Sequence, residues 1–215
     1  MPLAAGRRSS GCSLAHEREL ARTGYRCVAG IDEAGRGALF GPVVVAAVTL
    51  SSRPHPAIDD SKRLAPALRH DLALWIMRNA RFAVASASRE EIDCLNIRRA
   101  TFVAMKRALR LLDPPPDFAL VDGEPIPGLD LPQRALIKGD GISFSIAAAS
   151  IVAKVQRDCL VGLYDDRFPC YNLAKNKGYG TLAHIDAINR HGLTRHHRRS
   201  FCRWVDDRQL SLTFG

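Results

Sequence analysis

No stretch of this chain approaches the ~18 apolar residues of a membrane span, and the first 22 residues hold no apolar core of a secretory leader. Its six cysteines (Cys12, Cys27, Cys94, Cys159, Cys170 and Cys202) include no close C-x-x-C pair. That argues against a disulfide framework and for reduced thiols in a cytoplasmic protein. No G-x-x-x-x-G-K-[ST] loop is present, and Gly35-Arg36-Gly37 lacks the spacing of a dinucleotide fingerprint. There is no G-x-S-x-G elbow either, so P-loop, Rossmann and serine-hydrolase chemistries all drop out. His191, His196 and His197 have no paired cysteine motif to make them zinc ligands. Internal repeats and low-complexity segments are also missing.

What the chain does have is positive charge. Thirty-one Lys and Arg against 22 Asp and Glu give +9, with a pI near 9.6. A basic surplus favours an anionic partner, nucleic acid being the commonest. At 215 residues, 47% hydrophobic and 25% charged, the chain suits one globular domain with a small appendage.

Residues 26–32 and 42–50 are apolar, β-branched and separated by a glycine-rich loop, which predicts two paired strands. Residues 51–57 read as a turn. Asp60-Ser61-Lys62 opens a helical pattern carried by Leu64, Leu68, Leu72, Trp75 and Ile76. A third strand is predicted over 81–87. Helical material follows over 90–112, with Leu95, Phe102, Met105, Leu109 and Leu112 as its buried stripe, stopped by Asp113-Pro114-Pro115-Pro116. Phe118–Val121 and Arg134–Ile137 complete a set of five strands. A nearly all-apolar helix runs from Phe144 to about Tyr164, and another lies near 181–190. The cluster Arg195-His196-His197-Arg198-Arg199, with Lys62, Arg63, Lys175 and Lys177, reads as a solvated basic patch suited to phosphate.

Acidic residues end three of these strands: Asp32-Glu33, Asp122 and Asp140. Neighbouring carboxylates repel and lose solvation in an apolar setting unless a cation lies between them. Mg²⁺ and Mn²⁺ prefer such oxygen ligands, and two ions about 4 Å apart can drive phosphodiester hydrolysis. Taken singly, each acidic pair or Asp-Gly also reads as an ordinary strand-end turn. Their combination on a basic chain favours the metal site. Gly35-Arg36-Gly37, directly after the acidic pair, suits a backbone that a ligand must approach closely.

Together these segments resemble ribonuclease HII. The resemblance is carried by Gly30-Ile31-Asp32-Glu33-Ala34-Gly35-Arg36-Gly37, Gly41-Pro42-Val43, Asp60-Ser61-Lys62, Val121-Asp122-Gly123 and Lys138-Gly139-Asp140. It continues through Ala147 to Asp158, Lys177-Gly178-Tyr179-Gly180-Thr181 and His197-Arg198-Arg199-Ser200-Phe201. The motifs fall in order over residues 28–201. Ala38 stands where the family often has proline, and Asn176 where it often has histidine.

The resemblance implies an α/β, RNase H-like fold: a five-stranded mixed sheet flanked by helices, with a C-terminal helical extension. The chain would divide into a flexible tail over 1–22 (frayed at first, then a short helical approach, and outside the resemblance), a catalytic domain over 23–165 and a helical substrate-binding extension over 166–215. The resemblance implies endonucleolytic hydrolysis of RNA in RNA–DNA hybrids and 5′ of single ribonucleotides in duplex DNA, by a cytoplasmic monomer using Mn²⁺ or Mg²⁺. Asp32, Glu33, Asp122 and Asp140 match the catalytic, metal-binding acids. Gly35, Arg36 and Gly37 match the loop that meets the ribose 2′-hydroxyl, Tyr179 the ring against the adjoining sugar, and Lys62 a phosphate contact. The alternatives are another RNase H-like nuclease, such as a junction resolvase, or a non-catalytic nucleic-acid-binding module. The second is disfavoured because a binding protein gains nothing from carboxylates facing phosphate.

Overall fold

The two apolar segments at the start of the chain form the centre of the sheet. In the computed structural model, which describes residues 11–50 and 54–205, they are β1 (Val28–Ala34) and β2 (Val43–Leu50). Seven of the eight β2 residues are buried, as expected of a strand covered on both faces. Around them the chain runs as α1 (Ala15–Arg22) before β1, then α2 (Pro66–Asn79), β3 (Ala80–Ala87), α3 (Arg89–Leu95) and α4 (Ile97–Leu111). It continues through β4 (Phe118–Asp122), β5 (Gln133–Leu136), α5 (Phe144–Gly162), the short α6 (Leu173–Asn176) and α7 (Leu182–His191).

The sheet order is β3-β2-β1-β4-β5. The first three strands are antiparallel neighbours, while β4 and β5 run parallel to β1, which makes the sheet mixed. The expected five strands are therefore all present, each within two residues of its predicted bounds.

Strand alternation divides the core. Ala29 and Ile31 of β1 pack with Phe102, Met105 and Leu109 of α4 on one face. Ala46 and Val48 of β2 meet Leu72 and Ile76 of α2 and the alanine-rich start of α5 on the other. Close approach of α5 depends on Gly30, where a Cβ would collide with the backbone of Ser145.

Two local expectations need correction. Residues 60–62 form a turn, not the first turn of a helix. The Asp60 side chain accepts from the Lys62 amide at 2.9 Å, and α2 starts at Pro66, whose fixed φ suits a first helical position. Leu68, one of the residues that carry that helical pattern, is exposed. The helical stretch 90–112 breaks at Asn96, which takes a left-handed φ of 67° and caps α4 through the Arg99 amide. In the tail assigned to 1–22, the expected short helical approach is present over Ala15–Arg22. Leu20 is buried against Phe118, Leu120 and Ile146, and Glu17 accepts the Ser145 amide at the start of α5. The remainder of that tail over 1–10, the residues 51–53 of the predicted turn, and 206–215 of the C-terminal extension lie outside the described residues.

The C-terminal unit has its own apolar centre. Phe40, from the β1–β2 loop, is fully buried among Tyr164, Phe168, His196 and His197. The loop that follows the acidic pair is thus anchored in the C-terminal helices. Beside it, two imidazoles form a relay. The Thr194 amide donates to His197 Nδ1 (3.0 Å), leaving Nε2–H of His197 to donate to His184 Nε2 (3.2 Å). His184 Nδ1–H then donates to the Tyr179 carbonyl (2.9 Å). Two residues of the predicted solvated patch, His197 and Arg198, are instead fully buried.

Burial, helped by His184 and His196, pushes His197 down to about 3. A histidine depressed below its unfolded value of about 6.5 contributes stability that is complete above that pH and lost as pH falls towards the folded value. Thermal melts should therefore lose about 2 kcal/mol of stability between pH 7.5 and 5 from this residue. His197→Gln should melt with a visibly shallower pH slope over that range. An unchanged slope would remove His197 as its source.

Candidate active site

The predicted acids reach one end of the sheet from three directions. Asp32 and Glu33 close β1, and Asp122 closes β4, the strand parallel to it. Successive strand residues point to opposite faces, yet Asp32 and Glu33 line one cavity because the strand ends there. That cavity has a volume of about 350 Å³. Its walls include Asp32, Glu33, Asp122, the Gly35–Gly37 loop, Lys62 and Tyr179.

Each acid has a defined hold. Asp32 is buried, accepts its neighbour's amide at 2.6 Å, and is hydrogen-bonded by Ser150 of α5. Ser150 is in turn held by Ser61 at 2.9 Å. Asp122 accepts the Gly139 amide at 2.6 Å, which ties the end of β4 to the turn after β5. Glu33 meets Arg36 at 3.3 Å. Asp140, expected at a strand end, sits in a 3₁₀ turn over Gly139–Gly141 and is paired with Lys62 Nζ at 2.9 Å. It is buried just outside the cavity lining, behind Lys62.

Electrostatics mark the three lining acids as short of positive charge. Burial, then the charges of Glu33 and Asp122, raises Asp32 well above the usual carboxylate range. Burial also raises Glu33, with Arg36 opposing and Asp122 adding to the shift. Asp122 is raised by burial, opposed by the Gly139 amide and reinforced by Asp140. Three oxygen donors on one cavity, each repelling the next, have the chemistry of a hard divalent-cation site. Among the described residues, however, no three His, Cys, Asp or Glu side chains stand as a closed ligand set. Two of the acids carry cationic partners instead, Glu33 at Arg36 and Asp140 at Lys62. The all-oxygen donor set of Asp32, Glu33 and Asp122 suits a hard cation such as Mg²⁺ or Mn²⁺.

The loop and Tyr179 are brought together by backbone pairing. Ala38 bridges Tyr179, and the amides of Leu39 and Phe40 both donate to the Gly178 carbonyl, at 2.8 and 3.2 Å. The two loop glycines differ sharply. Gly35 has φ +92° and no room for a Cβ, which would collide with Arg157. At Gly37 a Cβ would meet open space, and φ is unexceptional. The fold therefore accounts for Gly35 but not for Gly37.

Several site residues carried no signal of their own in the sequence. Ser61 and Ser150 support Asp32, and Arg69 donates to the Ser61 carbonyl at 2.7 Å. Lys154 lines the cavity 5.3 Å from the Tyr179 ring, and Arg157 lies 5.1 Å from that ring. The Ala147–Asp158 block contains three of them, but helical spacing alone does not separate a cavity-facing lysine from a solvated one.

A mixed five-stranded sheet with acids at the ends of β1 and β4 defines an RNase H-like hydrolase. The ribonuclease HII profile matches residues 29–204. A Ribonuclease HII from Desulfitobacterium hafniense (strain DSM 10664 / DCB-2) is 50% identical over 190 residues, covering 87% of this chain and 73% of that protein. Among solved structures, the PCNA:RNase HII complex from Archaeoglobus fulgidus matches with TM-score 0.70 and 28% identity, over 83% of this chain and 95% of that one. Bst-RNase HIII in complex with Mn²⁺ shares the fold, with TM-score 0.67 and 24% identity over 86% of this chain and 70% of that one. The chain belongs to the ribonuclease HII family.

The two glycines generate a paired prediction. Gly35→Ala should lower the melting temperature, because it combines strained backbone with a clash. Gly37→Ala should melt within about 0.5 kcal/mol of wild type, as surface substitutions do, while cleavage of a ribonucleotide-containing duplex falls. Normal cleavage by Gly37→Ala would mean that no ligand approaches that glycine.

Proposed function

We propose that this chain hydrolyses the RNA strand of RNA–DNA hybrids and incises duplex DNA 5′ of single embedded ribonucleotides, leaving 5′-phosphate and 3′-hydroxyl ends. The observation that carries this reading is that three of the acids (Asp32, Glu33 and Asp122), the Gly35–Gly37 loop and Tyr179 line one cavity. A phosphodiester held at the acids then has its adjoining sugar beside the loop and the ring.

Asp32, Glu33, Asp122 and Asp140 are assigned as catalytic residues that would hold divalent cations, Mg²⁺ or Mn²⁺. Such cations, when bound, lower the pKa of an attacking water and neutralise charge on the departing oxygen. The remaining work falls to the chain. Ser150 and the Glu33 amide orient Asp32, and the Gly139 amide orients Asp122. Arg36 and Lys62 balance the acids before substrate arrives, then turn to the incoming phosphates.

The backbone of Gly35–Gly37 reads the 2′-hydroxyl, the one group that separates RNA from DNA at a given position. Tyr179 offers its ring to the next sugar. The segment from 166 onwards, with Lys175 and Lys177, extends the phosphate-binding surface. The unbonded state of all six cysteines suits a reducing compartment, so we assign the chain to the cytoplasm, and we propose that it acts as a monomer. No helix among the described residues is long and apolar enough to cross a membrane.

A DNA duplex carrying one ribonucleotide, incubated with Mg²⁺ or Mn²⁺, should be cut once, on the 5′ side of that residue, while an all-deoxy duplex and a four-way junction stay intact. Preferential cutting of the junction would instead make this a resolvase. Asp122→Asn should lower kcat about 100-fold or more, the scale of losing one group that stabilises transition-state charge, with duplex affinity retained. Unaltered turnover would take Asp122 out of the site.

A further inference from the structure

Two arginines of the C-terminal half, Arg157 on α5 and Arg198 just before the last 3₁₀ turn, are fully buried. Arginine is almost never buried without a carboxylate partner. Among the described residues, neither of these forms an ion pair with one. Their partners are backbone carbonyls. Arg157 donates from Nε to Pro42 (3.2 Å), from Nη2 to Phe40 (3.1 Å) and from Nη1 to Lys177 (2.9 Å). Arg198 donates from Nε to Gly41 and from Nη1 to Arg36, both at 2.9 Å. Its Nη2 is buried without a partner.

Four of the five carbonyls lie between residues 36 and 42, in the loop after the acidic pair. The fifth, at Lys177, is two residues before Tyr179. Arg157 also fills the space that a Gly35 Cβ would need, and its guanidinium carbon lies 5.1 Å from the centre of the Tyr179 ring. One planar group therefore sets both the turn at Gly35 and the surface on which the ring rests. An apolar side chain of equal volume could fill that space. Only a guanidinium sends rigid donors to three carbonyls at once, and lysine supplies a single compact head with no fixed fork.

We infer that Arg157 and Arg198 are positioning residues for ribose selection: they hold the Gly35–Gly37 backbone and the Tyr179 ring at the separation that a ribose needs. This rests on the reading above that the loop and ring meet the sugar. Both arginines stay behind the loop and touch no substrate. Their charge, uncompensated by any paired carboxylate, also leaves the underside of the loop positive where a phosphodiester must approach.

Arg157→Lys and Arg198→Lys in the full chain test the inference, with melting temperature, duplex affinity and turnover on a single-ribonucleotide duplex measured together. Each folded variant should lose about 10- to 100-fold in kcat, the scale on which a displacement of about 1 Å is felt. KM should stay within about threefold, because phosphate contacts dominate binding. Arg157→Ala adds a readout that a purely structural role would not move. Millimolar methylguanidinium should restore its turnover, whereas methylammonium at the same concentration, a compact head with no fixed fork of donors, should not. Equal recovery with methylammonium, or unchanged kcat in a folded lysine variant, would overturn the inference. Should Arg157→Lys fail to fold, Arg198→Lys decides, since it leaves every Arg157 contact in place. Wild type run on the matched all-deoxy duplex separates the two levels. Equal cutting of both duplexes defeats the ribose reading itself, whereas selective wild type with equally active lysine variants defeats only the positioning role.

Discussion

Everything at the functional end of this molecule depends on helix α5 lying directly on strand β1. Gly30 makes that possible, because its missing side chain leaves room for the backbone at Ser145. The next turns of α5 are nearly all alanine and small β-branched residues, so they continue the same close contact. The consequence is positional. Ser150 arrives at Asp32, Lys154 at the cavity wall and Arg157 beneath the loop that follows β1. A bulkier interface would lift all three away from the acids.

The second constraint is electrostatic. Burying Asp32, Glu33 and Asp122 around one cavity costs solvation and brings like charges together. The chain offsets this with amides at Glu33 and Gly139, and with two exposed cations, Arg36 and Lys62, placed on Glu33 and Asp140. Lys62 keeps an exposed side chain while Asp140 is buried, so the pair is asymmetric: the lysine can leave and the acid cannot.

Much of this was legible in the residues. Apolar, β-branched runs marked β1, β2 and β4, and acids at the ends of β1 and β4 were visible as departures from a buried pattern. The five strands and the family's motifs agreed in order and spacing. What periodicity could not show were tertiary exceptions to ordinary rules. Asn96 breaks a continuous helical pattern by adopting a left-handed turn that its own side chain stabilises as a cap. Leu20 gains its burial from Phe118 and Ile146, more than ninety residues away, which docks the short helical approach. His197 and Arg198 belong to a run of five basic residues, and local charge predicts solvent for all of them. Only the position of Phe40 and the loop carbonyls explains why two of the five turn inward.

The acidic pair and the glycine-rich loop that follows it therefore form one device with two outputs. β1 presents Asp32 and Glu33, and the same chain, five residues on, is held from behind by two buried guanidinium groups. The most direct test is a crystal structure of Asp122→Asn bound to Mn²⁺ and a duplex with one ribonucleotide. It should place the 2′-hydroxyl within hydrogen-bonding distance of backbone atoms of Gly35–Gly37, with the scissile phosphate at Asp32 and Glu33 and the adjoining sugar on Tyr179. A 2′-hydroxyl turned to solvent, with that loop free of substrate, would contradict the account.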